Sequence, residues 1–171
     1  MKIRSGFVSN SSSSSFIVPM DSIPGTAEEL KQLLFGEQES IAYDNWSDTP
    51  TIFSTLEMAG IVIQNIKDAK TATDTELLDL FKYGYYPFEW DGSPTKVPNF
   101  NDFKDDSQKC DWKAYEEASN KYATEVLESF RKAFPNKEFR VVAYDDDYME
   151  GAMLEHEVVP LIPGIIRINQ H

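Results

Sequence analysis

Lys2-Ile3-Arg4-Ser5-Gly6-Phe7-Val8 and Phe16-Ile17-Val18-Pro19-Met20 enclose the polar run Ser9-Asn10-Ser11-Ser12-Ser13-Ser14-Ser15, and how this opening is read decides the fold. A disordered serine linker has polar flanks. Here apolar residues on both sides give the run a reason to be held against a core, so the segment reads as strand, polar turn, strand.

Outward from this hairpin, the next signals are helical. Thr26 with Glu29 is a capping-box pattern opening a helix to about Phe35, whose inner face is Leu30, Leu33 and Leu34. Ser54 with Glu57 repeats it ahead of Met58, Ile61, Val62 and Ile66, and the helical spacing outweighs the strand preference of Ile61-Val62-Ile63. Thr73 with Glu76 caps a third helix carrying Leu77, Leu78, Leu80 and Phe81, which Gly84 ends. Asp111 caps the longest helix, reaching about Phe134, with Trp112, Tyr115, Ser119, Tyr122, Val126, Leu127, Phe130 and Phe134 along one face. Glu138–Tyr144 and Ile165–Ile168 read as strands. This order predicts an α+β fold in a single domain spanning residues 1–171, with helices packed on one face of a mostly antiparallel sheet. No internal repeat is present.

Composition narrows the function classes. A chain of 171 residues with 41% hydrophobic residues can close its own core. Cys110 is alone, the N-terminal apolar runs are too short for a signal peptide, and the best apolar stretch, Ala59–Ile63, stops at Gln64 and Asn65. The expectation is a cytoplasmic protein that does not enter a membrane. Sixteen Lys plus Arg against twenty-nine Asp plus Glu give a net charge of -13, whose field repels phosphate backbones. Direct nucleic-acid binding is disfavoured, and a protein partner with a basic or DNA-binding surface is favoured. Nothing in the sequence sets the oligomeric state.

The opening Lys2–Val18, with its Lys-Ile-Arg-x-Gly-Phe-Val-Ser-Asn-Ser-Ser-Ser-Ser-Ser-Phe pattern, resembles the N-terminus of a group of uncharacterised proteins of tailed bacteriophages and some bacteria. Leu154-Glu155-His156, Ile166-Arg167-Ile168 and His171 are similar to that group's closing segment, with Gln170 where a second closing histidine is expected. The resemblance implies a phage-type accessory protein and carries no activity with it.

Three constellations are candidates for function. The serine run offers hydroxyls and backbone amides that suit an anion or nucleotide, with Arg4, Ser9, Asn10, Ser11, Ser12, Ser13, Ser14 and Ser15 as its members. No glycine-rich phosphate loop accompanies it, and a plain polar turn or a phosphorylated segment are the other readings. The second is Asp145, Asp146, Asp147, Glu150, Glu155, His156 and Glu157 with His171, from which Asp145, Asp147, His156 and His171 are the candidate ligands of a divalent metal. The alternative is a solvated acidic loop; an EF-hand is rejected because Tyr148 takes a ligand position. No other cofactor is expected. The third is the long loop from Tyr85 to Asp106, whose Tyr86, Phe88 and Trp90 are interface-type aromatics, or else packing for the domain itself. The leading expectation is a non-enzymatic, acidic protein-binding module using this loop. The rival is an anion-binding or metal-dependent enzyme built on either of the other two clusters.

Overall fold

Phe16, Ile17 and Val18 are three consecutive fully buried residues, and a strand with no apolar–polar alternation must be covered on both faces. The computed structural model describes residues 13–43, 49–83, 90, 92–105 and 107–169. In chain order its elements are β1 (Ser13–Pro19), α1 (Ala27–Phe35), β2 (Ser40–Tyr43), β3 (Thr51–Ser54), α2 (Thr55–Asp68), α3 (Asp74–Tyr83), α4 (Trp112–Ala133), β4 (Phe139–Asp145), α5 (Met149–Met153) and β5 (Ile166–Asn169). A π-helical turn, Leu154–Val158, follows α5 directly.

β1 is the middle strand of a three-stranded sheet in the order β4-β1-β5, antiparallel on both sides. Phe16 lies opposite Val142 and Arg167, and Ile17 lies opposite Val141 and Ile166. A separate two-stranded hairpin pairs β2 with β3. The α+β class and the antiparallel sheet stand as expected. The helices extend further round than expected, because the alternating side chains of β1 feed two cores. Phe16 and Val18, with Val142 and Tyr144, pack against Leu30 of α1, Met58, Val62 and Ile66 of α2, and Met153, Leu154 and Val158. Ile17, with Phe139 and Ile168, packs against Leu77 and Phe81 of α3 and Tyr122, Val126 and Phe130 of α4. Burying each such large side chain contributes about 1.5–3 kcal/mol.

The helix starts follow local chemistry. Thr26 Oγ1 accepts from the Glu29 amide at 3.2 Å and Glu29 Oε2 accepts from the Thr26 amide at 3.2 Å. Ser54 Oγ accepts from the Glu57 amide, and Asp111 Oδ1 from the Ala114 amide. The Thr73 hydroxyl and amide both bond Glu76 Oε2, holding that carboxyl below its ordinary pKa. Arg140 on β4 closes the far end of α2, its Nη1 donating to Ile66 O at 2.6 Å and Lys67 O at 2.9 Å.

Two expectations are corrected. Ser13, Ser14 and Ser15 belong to the central strand rather than to a turn, and Ser14 and Ser15 are buried. The expected hairpin partner, Lys2–Val8, lies outside the described residues; from Ser14 to Ile17 both sides of β1 are already taken by β4 and β5. The reading of the acidic stretch after β4 as a solvated loop also fails. It is helical from Met149 to Val158, and Glu155 is fully buried.

Candidate functional site

Ser14 projects from the same face of β1 as Phe16 and Val18, two and four residues on. Opposite it in register are Tyr144 on β4 and Asn169 on β5. α5 approaches the end of β4 closely because residue 151 is glycine: a Cβ there would stand 2.2 Å from the Asp145 carbonyl oxygen. The chain then widens into the π turn, a geometry frequent at functional sites. That turn delivers Glu155 to the sheet. Glu155 Oε1 accepts from Ser14 Oγ at 2.7 Å and from Arg167 Nη2 at 3.0 Å, while Arg167 Nε donates to Ser14 Oγ at 3.0 Å. The Arg167 guanidinium also lies 5.7 Å from the centre of the Phe16 ring, and its side chain is 33% exposed.

This cluster joins residues from the serine run, the acidic stretch and the closing strand. Chemically, the Oε1 of a buried carboxylate is compensated by a guanidinium and a hydroxyl, as a charge withdrawn from water requires. Spacing alone did not expose it, since Ser14 and Glu155 are 141 positions apart and Ser14 and Arg167 are 153.

The sequence candidates fall as follows. Ser14 does not offer its hydroxyl to an anion, because it is engaged by Glu155 and Arg167, and a second negative charge there would meet the carboxylate. Ser15 is buried on the opposite face of β1. Arg4, Ser9, Asn10, Ser11 and Ser12 lie outside the described residues. Asp145 ends β4 opposite Ser13, and its Oδ1 accepts from the Asp147 amide at 3.3 Å. His156 is half-buried in the π turn, and His171 lies outside the described residues. Among the described residues no group of three or more His, Cys, Asp or Glu side chains is gathered for a metal. Tyr86 and Phe88 lie outside the described residues. Trp90 packs on its own domain: its Nε1 donates to Ser129 Oγ at 3.0 Å and its ring lies 5.4 Å from Phe130 and 5.8 Å from Phe81. Of the two readings of that aromatic, intramolecular packing is the one Trp90 adopts.

A different tryptophan is presented to solvent. Trp112, expected on the inner face of α4, is 65% exposed. Its ring meets Tyr115 edge-on at 6.1 Å, and Tyr115 meets Phe103 at 5.6 Å. Phe100, also exposed, carries Lys104 Nζ 4.5 Å from its ring centre. Trp112 and Tyr115 line a pocket with Lys82, Glu116 and Ser119, in which Lys82 Nζ and Glu116 Oε1 are 3.3 Å apart. Asp111, Glu116 and Glu117 are exposed beside it. The arrangement can bury an apolar side chain and surround it with charge. No helix among the described residues is long and apolar enough to cross a membrane. Comparison with protein-family models, curated proteins and solved structures yields no match.

Proposed function

We propose that the chain is a non-enzymatic protein-binding module whose contact surface is the aromatic patch at the start of α4. One observation carries this reading: Trp112 is 65% exposed and lines a pocket with Tyr115, whereas Trp90 is committed to packing. Exposed tryptophan beside a pocket is a typical interface anchor, because its large area is desolvated on binding at little cost in side-chain entropy. At the patch itself Asp111, Glu116 and Glu117 are matched by Lys82, Lys104 and Lys113, so the preference for a partner with a basic surface, and the faster encounter, come from the chain's net charge of -13. On the strength of the resemblance of its ends, the partner is a protein of a phage or of its host.

The test is site-specific photocrosslinking in cells carrying the chain, with the crosslinker at position 113, where the Lys113 side chain is 88% exposed. The expected result is a discrete crosslinked protein that disappears in a Trp112→Ala background and weakens at high salt. Crosslinking that is unchanged by Trp112→Ala overturns the proposal.

A further inference from the structure

β4 is an edge strand, and its two sides are distinguishable. The Met20 amide donates to Glu138 O at 3.1 Å on the β1 side, while the Ala72 amide donates to Phe139 O at 2.8 Å. In an antiparallel strand the N–H and C=O of one residue point the same way and neighbours alternate. Arg140, Val142 and Tyr144 therefore face β1, and Phe139, Val141 and Ala143 face outward. Thr71 forms an isolated antiparallel bridge with Arg140, so the chain itself supplies one rung of a fourth strand. It then turns away into the Thr73–Glu76 cap. Among the described residues no strand runs alongside Ala143, which is exposed.

Next to this edge is a groove of about 490 Å³ lined by Ala69, Ala72, Leu80 and Val141, with Glu76 and Asp79 on the α3 side and Lys70 also at the rim. Glu76 is held ionised by its bonds to Thr73, and Asp79 is exposed. Outward backbone groups, an apolar floor and paired carboxylates are what an added strand needs for affinity, side-chain register and charge selection respectively.

We propose that the outer edge of β4 accepts an extended segment of a partner protein that carries an apolar residue and, two positions along and so on the same face, a Lys or Arg. One apolar side chain occupies the groove over Ala72, Leu80 and Val141, and a basic side chain two positions away meets Glu76 and Asp79. This surface is separate in composition from the Trp112 patch, so either stands if the other fails.

The probe is an end-capped Thr-Val-Thr-Lys-Thr-Thr hexapeptide, titrated into the isotopically labelled full chain and followed by amide chemical shifts. Saturable shifts at Val141, Ala143 and Leu80 are expected. Ala143→Pro removes one outward amide and leaves the rungs to β1 intact, a substitution edge strands tolerate; it weakens binding by at least about fivefold, the worth of one lost hydrogen bond. Asp79→Lys, a surface change that does not threaten folding, weakens it comparably, and the same peptide with Glu in place of Lys binds worse. The proposal is overturned by any of these results: no saturable shift up to about 1 mM peptide, equal affinity for both peptides, undiminished binding to Asp79→Lys or to a folded Ala143→Pro variant, or a dimer whose Ala143 amide pairs with a second copy.

Discussion

The Ser14–Glu155–Arg167 cluster and the Trp112 patch are built in opposite ways. The first joins β1 to the π turn and β5 around a carboxylate with no solvent exposure, whose Oε1 accepts from both Ser14 and Arg167. The second comes largely from consecutive turns of one helix and one neighbouring loop, and leaves its largest ring in water. Closure of that kind stabilises the fold, while an unsatisfied apolar surface is what a partner can bury. The contrast teaches that the two sites answer different questions: the buried polar cluster ties β1 to β5 and the π turn, and the exposed aromatic patch is where the proposed recognition is to be tested.

Substitutions can break or sharpen this contrast. The largest effect is expected from Glu155→Ala, which strands the Arg167 guanidinium and the buried Ser14 hydroxyl. It should lower stability by about 3 kcal/mol in urea unfolding, and a loss below about 1 kcal/mol would show that the cluster does not pin the sheet. Gly151→Ala should cost about 2 kcal/mol by the same measurement, because the new methyl collides with the Asp145 carbonyl and pushes α5 away from β4; unchanged unfolding would mean the approach is not tight. Asp111→Ala, which removes the cap of α4 beneath the patch, should cost about 1 kcal/mol in thermal unfolding. Trp112→Ala should change stability by less than about 0.5 kcal/mol while abolishing partner crosslinking. A large destabilisation there would assign the ring to the core and erase the contrast.

What the sequence revealed follows the range of the interactions involved. The four long helices were legible because Thr26, Ser54, Thr73 and Asp111 cap within three residues of themselves. β4 and β5 were legible from clustered apolar residues. β2 and β3 were missed: each has four residues, too few for a periodic signal. Glu155 was read only as a member of an acidic stretch, either a metal-type constellation or a solvated loop, because its compensation comes from Arg167 on another strand. Trp112 was expected on the inner face of α4, while Trp90 was left between partner contact and packing, for a related reason. A helical period shows which residues share a face, but not where the layer underneath that face ends, so Trp112 at the first turn of α4 looked as buried as Val126.

The position of β1 between two partners from the far end of the chain bears on how the protein is made. At roughly 5–20 residues per second, a ribosome needs on the order of ten seconds after producing Phe16-Ile17-Val18 before the strands that flank them exist. Through that interval three of the greasiest residues in the molecule have no sheet to join, and the nascent chain is a natural client for a holding chaperone. Completion of the sheet thus waits until Ile166–Asn169 has been made, and termination before Ile166 leaves a β1 with one side bare and Glu155 without its counter-charge.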